Sequence, residues 1–158
     1  MSDTERYNLA LEYATRKHDG QFRIGGKAYI THPIAVAEMV KAQGHSIDYQ
    51  ITALFHDLLE DTDATENELM QNGGNAEIVE AVRLLTKRED LPMHDYVSAI
   101  KQNQMAFTVK CADRLHNLRC ATCASEEFKR EYVKSTKKWY LDFSDEIRKA
   151  VSDLATTY

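Results

Sequence analysis

Long apolar runs are missing from this chain of 158 residues. No stretch approaches the roughly 20 apolar residues that a membrane-spanning helix needs, so no membrane partner is expected. Disulfide chemistry is equally thin. The three cysteines, Cys111, Cys120 and Cys123, are odd in number and follow no secretory signal, which points to a reducing compartment. Cys120-x-x-Cys123 has no second cysteine pair and no strand before it, so it reads as small, semi-buried thiols rather than a zinc or redox site. The first residues, Met1 to Arg6, are acidic and polar and form no targeting peptide, so a cytoplasmic location is expected. Excess positive charge is absent too. Twenty Lys and Arg stand against 25 Asp and Glu, a net charge of -5, which argues against non-specific nucleic-acid binding, where a basic face is expected. A small anionic molecule stays open, because it needs only a local cationic patch.

There is no linker-like stretch, internal repeat or low-complexity segment, so residues 1–158 read as one domain around one core. Period-two alternation is lacking as well, and the pattern is helical throughout. Tyr7, Ala10, Leu11, Ala14 and His18 recur at helical spacing up to Asp19-Gly20. After a polar loop, Pro33 suits the first position of a second helix running to about Gly44. Asp48 is the expected N-cap of a third helix, Tyr49 to about Glu60. Thr65-x-x-Glu68 matches a capping box opening a short fourth helix, ended near Gly73-Gly74. Further helices are expected over about 76–86, 95–103 and 105–118. The last begins near Ser125 and runs to the end with a break near Ser144-Asp145. The expected fold is an all-α, compact multi-helix bundle.

The chemistry concentrates in Leu54-Phe55-His56-Asp57-Leu58-Leu59-Glu60-Asp61. Adjacent His-Asp and Glu-Asp pairs interrupt an apolar helical run, and burying such charges unpaired is expensive. A divalent cation held by imidazole and carboxylate compensates them. On a continuous helix His56 and Glu60 share one face, as do Asp57 and Asp61, leaving the second pair free for water or substrate. Two other segments offer ligands. Thr31-His32-Pro33 puts a histidine at a helix start, and Lys110 to Asn117 carries Asp113, Arg114, His116 and Asn117 in an otherwise apolar helix. Two imidazoles and two carboxylates suit Mn, Fe or Zn and leave room for water, the layout of a metal-assisted hydrolase. Taken singly, His32 is equally a helix cap, Asp113-Arg114 a structural ion pair and His56-Asp57 a buried hydrogen bond.

The ordered set His32…His56-Asp57…Asp113 resembles the HD superfamily of metal-dependent phosphohydrolases. Gly20-Gln21-Phe22-Arg23, Tyr29 to Ala37, Ala53 to Thr62 and Val109 to Arg119 are together similar to the hydrolase domain of RelA/SpoT-type enzymes, over about residues 9–140. The resemblance implies an HD-type bundle that removes the 3′-pyrophosphate of guanosine tetra- or pentaphosphate, with one divalent metal ion, typically Mn²⁺. It implies His32, His56, Asp57 and Asp113 as metal ligands and Glu60 and Asp61 as the catalytic pair acting on water. Arg23 and Asn117 become nucleotide contacts. Lys27, Lys87 and Arg114 are further cations that meet phosphates or else form solvated surface charge and ion pairs. Ile24 stands where many members carry Lys, and Cys120 where Thr is common. These departures keep open another phosphorylated nucleotide or cofactor as substrate, or a non-catalytic nucleotide-sensing domain. The chain length leaves no room for a synthetase, so a stand-alone hydrolase is expected.

Overall fold

Side chains that cap backbone amides open most of the helices. A computed structural model describes all residues 1–158. It contains α1 (Asp3–Lys17), α2 (Thr31–Ala42), α3 (Ile47–Phe55), α4 (Leu58–Asp61) and α5 (Glu66–Gln71). After these come α6 (Ala76–Leu85), α7 (Met93–Lys101), α8 (Gln104–Cys120), α9 (Glu126–Trp139) and α10 (Asp145–Ala155), with a 3-10 turn at Ala121–Cys123. No strand forms; the only β-type pairing is an isolated bridge between Phe22 and Ala28. The fold is all-α. The Thr65–Glu68 capping box forms with both hydrogen bonds, and a second one at Ser2–Glu5 starts α1 earlier than its apolar spacing indicates. Ser125 and Ser144 cap α9 and α10, so the expected break in the last helix is a full separation.

Several boundaries differ from the sequence reading, three of them with consequences for how the elements pack. Helix α2 begins at Thr31, so Pro33 is its third residue rather than its first. Its missing N–H is harmless there, because the first four amides of a helix have no intrahelical acceptor. Ser46, not Asp48, precedes α3. Asp48 instead accepts from Arg6 Nη2 (2.9 Å) and Asn75 Nδ2 (3.0 Å), which ties α1, α3 and α6 together. Most consequential, the helix expected from Tyr49 to Glu60 stops at Phe55. The Ala53 carbonyl accepts from His56 Nδ1 (2.6 Å) and from the His56 amide (3.4 Å) rather than from the Asp57 amide four residues on. The imidazole thus replaces a helical hydrogen bond, and Asp57 turns to φ −104°, ψ −1°.

Thirty-three buried apolar residues form one core. The longest helix, α8, runs through its middle and packs on α2, α3, α6, α7 and α10. Because α8 is covered on several sides, its polar residues Asp113 and Arg114 are buried with the apolar ones. Helices α2 and α3 lie against α8 and against each other, so His32, His56 and Asp113 face a common interior point.

The junction of α1, α3 and α5 depends on Gly73. It adopts φ +100°, and a Cβ built there would lie 2.8 Å from the Arg6 carbonyl oxygen. Its own carbonyl accepts from Arg6 Nε (3.3 Å) and Nη2 (3.1 Å). Gly73→Ala is expected to lower the unfolding free energy by about 1–3 kcal/mol, since both the backbone conformation and the close approach exclude a methyl group. Urea denaturation measures this; a midpoint equal to that of the unmodified chain would show that the junction yields freely.

Candidate metal centre and the cleft beside it

Four donor atoms from three segments, one each from His32, His56, Asp57 and Asp113, lie within 4.8 Å of one another. His32 is on the first turn of α2, His56 and Asp57 occupy the break between α3 and α4, and Asp113 sits midway along α8. His32 Nε2 is 2.7 Å from Asp113 Oδ1. His56 Nε2 lies 3.0 Å from Asp57 Oδ2 and 3.3 Å from Asp113 Oδ1. Both histidines are buried.

The outward-facing ring nitrogens are already engaged. His56 Nδ1–H donates to the Ala53 carbonyl, and His32 Nδ1 is 2.8 Å from His116 Nδ1. Beyond it, His116 Nε2 meets Cys120 Sγ at 3.5 Å. A proton on each outward nitrogen leaves both Nε2 lone pairs pointing inward beside two carboxylate oxygens. That donor set fits a divalent cation of the Mn, Fe or Zn type.

The electrostatics show the same concentration of negative charge. Burial pushes the His56 pKa down, but Asp57 and Asp113 outweigh it and hold the imidazole well above its usual value. Burial raises Asp57, yet His56, in Coulombic and hydrogen-bonding contact, brings its carboxyl down to about 2. Asp113 is held well below the carboxylate range despite its burial, first by Lys110 and then by His56 and His32. His32 moves down because its burial prevails over Asp113.

Lys110 was not singled out by its sequence context, although it lies one turn before Asp113. Its Nζ is 3.2 Å from Asp113 Oδ2, and the rings of Tyr96 and Tyr140 flank it at 5.7 and 5.5 Å. Tyr29 was also overlooked; its hydroxyl donates to Asp57 Oδ2 at 2.5 Å. The spacing of Lys110 and Asp113 by three residues is a usable signal. Nothing local indicates the reach from Tyr29 to Asp57.

Glu60 and Asp61 follow on α4, and both are exposed rather than buried. The break after Phe55 means that they do not extend the α3 face. The Lys87 amide donates to Glu60 Oε1 at 2.6 Å and fixes that carboxylate. Although Asp61 is exposed, the chain around it takes part of its hydration, and this loss, followed by the charges of Asp57 and Glu60, raises its carboxyl to about 6.

A cleft of about 250 Å³ opens beside the cluster, with Arg23, Ile24, Tyr29, Asn117, Cys120 and Tyr132 among its lining residues. A larger depression of about 540 Å³ lies between the C-terminal part of α8 and α10; the four donor residues line neither space, but the cleft alone of the two includes residues, Tyr29 and Asn117, that hydrogen-bond donors of the cluster. Arg23 Nη2 donates to Asn117 Oδ1 (3.0 Å), and Asn117 Nδ2 donates to Asp113 Oδ1 (3.3 Å), which links the cleft to the cluster. Arg23 and Asn117, the two expected nucleotide contacts, therefore meet at this cleft.

The other cations do not join them. Lys27 is exposed on the loop turn and its side chain is outside the cleft lining. Lys87 Nζ donates to the Arg88 carbonyl. Arg114 is buried between the Tyr132 and Tyr140 rings, 4.3 and 4.1 Å from their centroids, and donates to Ser135 and Thr136 hydroxyls, so its contacts are structural. His18 is buried against the Tyr29 ring. His45 is half-buried and stacked on Tyr49, His94 is exposed, and neither belongs to the donor cluster.

The family model described as HD domain matches residues 10–145. The chain is similar to a guanosine-3′,5′-bis(diphosphate) 3′-pyrophosphohydrolase of Haemophilus influenzae, 36% identical over 135 residues, covering 78% of this chain and 20% of that relative. It is 32% identical over 146 residues to the bifunctional (p)ppGpp synthase/hydrolase SpoT of Escherichia coli, covering 86% and 21%. A GTP pyrophosphokinase of Myxococcus xanthus is 30% identical over 177 residues, covering 99% and 23%. The chain thus spans about a fifth of the length of the curated relatives it matches. A solved structure described as a metazoan ortholog of SpoT that hydrolyzes ppGpp shares the fold, with a TM-score of 0.79 at 22% identity, covering 96% of this chain and 94% of that one. With its ordered His, His-Asp and Asp segments, its all-helical fold and this match over most of its length, the chain belongs to the HD domain family.

Proposed function

We propose that residues 1–158 form one hydrolase unit that removes the 3′-pyrophosphate of guanosine tetra- or pentaphosphate, releasing GDP or GTP and pyrophosphate. The observation that carries this reading is the convergence of four metal-type donor atoms beside an exposed acidic pair and an aromatic-walled cleft that carries Arg23. The relatives named for this reaction support it, and a cytoplasmic location goes with that substrate.

His32, His56, Asp57 and Asp113 would hold the cation, with Mn²⁺ as the expected ion. When bound, such an ion lowers the pKa of water and offsets negative charge on phosphate oxygens. The remaining work falls to the side chains. Asp61 takes a proton from the attacking water, because a carboxyl near pKa 6 is matched to near-neutral operation. Glu60, steadied by the Lys87 amide, orients that water. Arg23 supplies positive charge to the substrate phosphates, while Asn117 and the aromatic walls hold ribose and base. Lys27, exposed on the same loop and outside the cleft lining, lends its charge to the substrate phosphates on this reading without being a fixed contact.

The deciding experiment incubates the protein with guanosine 3′,5′-bis(diphosphate) and Mn²⁺ and separates the products, with His56→Ala alongside. Release of GDP and pyrophosphate is expected, and none in the variant. A folded, Mn²⁺-loaded protein that leaves this substrate intact would overturn the assignment. The apolar Ile24 leaves Arg23 as the one cation lining the cleft, which makes other phosphorylated nucleotides the next substrates to try.

A further inference from the structure

We propose that Tyr29 is a positioning residue with two separable contributions: its hydroxyl holds Asp57 in place for the metal, and its ring supports the nucleotide in the adjoining cleft. The second half rests on the function proposed above; the first does not.

Asp57 lies in the helix break, where its own turn does little to orient its side chain. Its carboxylate has two polar partners, His56 Nε2 at 3.0 Å and the Tyr29 hydroxyl at 2.5 Å. His56 Nε2 is itself a donor atom of the cluster, so it cannot both bind a cation and go on donating a hydrogen bond to Asp57. The Tyr29 O–H is then the group left to restrain Asp57 Oδ2. A charge-assisted hydrogen bond of this length is among the stronger ones available to a carboxylate. It leaves the second oxygen free.

The Tyr29 side chain is well anchored for this task. Its amide donates to the Gln21 carbonyl (2.8 Å), and its ring packs on His18 at 4.8 Å and edge-on to His32 at 5.9 Å between centroids. The ring also lines the cleft, with the Arg23 guanidinium 5.9 Å from its centroid. One aromatic side chain therefore touches both the metal cluster and the cleft, through different atoms. Removing the oxygen and removing the ring should accordingly have different consequences.

Three proteins separate them: the unmodified chain, Tyr29→Phe and Tyr29→Leu, each stripped of metal and checked by circular dichroism. Mn²⁺ affinity is measured by calorimetric titration, and GDP affinity by equilibrium dialysis without metal. Loss of a partner that orients a metal ligand weakens metal binding by about 10- to 100-fold, and that loss is expected for Tyr29→Phe. Its GDP affinity should stay within about twofold, since the ring remains. Tyr29→Leu should weaken both. A Tyr29→Phe protein that binds Mn²⁺ as tightly as the unmodified chain would overturn the hydroxyl half. A Tyr29→Leu protein with unchanged GDP affinity would overturn the ring half, as would an unmodified chain that does not bind GDP. This last result counts against the nucleotide reading as well, while the Mn²⁺ titration still judges the hydroxyl by itself.

Discussion

Asp113→Asn is expected to eliminate Mn²⁺ binding and turnover together, and to destabilise the metal-free protein. Asp113 is the point on which the other segments converge: Oδ1 meets His32, His56 and Asn117, and Oδ2 meets Lys110. The amide keeps the shape but loses the charge, and its NH2 group must face donors. Lys110, largely enclosed beside Tyr96 and Tyr140, is left without its carboxylate. Breaking one side of a buried pair costs about 3–5 kcal/mol, because the remaining charge stays desolvated. Chemical denaturation in chelator and Mn²⁺ titration read the two effects separately. A variant as stable as the unmodified chain would show that Lys110 finds solvent.

The same groups set the acid response of the metal-free protein. Asp57 and Asp113 have folded pKa values below their unfolded ones, so the stability they contribute is complete above about pH 5. It is lost as pH falls through the folded values, about 2 for Asp57. His56 works in the opposite sense. Its raised value stabilises the fold fully below about pH 6, and that contribution disappears as pH rises through the folded value. Asn at position 113 should flatten both limbs.

Replacing Glu60 by Gln or Asp61 by Asn is expected to lower kcat by about 10²- to 10⁴-fold while leaving Mn²⁺ affinity nearly unchanged. Neither residue is among the four clustered donors, and both are exposed. Gln is the suitable replacement at position 60, because its amide oxygen still accepts from Lys87 and the loop stays in place. Asp61 adds a pH signature. A base must be deprotonated to act, so the rate should rise as pH passes upward through about 6, and saturating metal should move that limb lower by favouring the carboxylate. Asp61→Asn should abolish the limb. The stability sign is reversed: the fold favours protonated Asp61, so its contribution declines between about pH 4 and 6. Full turnover in either variant, with metal bound, would remove that residue from the proton chemistry.

Helical periodicity and caps are local properties, and they were legible without the fold. The Thr65–Glu68 box, the Ser125 and Ser144 starts and the absence of strands all follow from neighbours within one turn. The candidate ligands were legible for a related reason: His, Asp and Glu stand out in apolar helices because burying them is costly unless they are compensated. The break at His56 was not legible, since Leu54 to Asp61 has no proline or glycine and an imidazole in place of a helical amide hydrogen bond leaves no mark on periodicity. Nor were the roles of the cations. Lys110 and Arg114 are four residues apart on α8, yet one turns to Asp113 and the other lies between two tyrosines. The sequence by itself determined the helices and the types of donor available. The tertiary structure alone decided which atoms meet, because Asp113 reaches His32 and His56 across 81 and 57 residues, and only the packing of α2 and α3 on α8 sets those approaches.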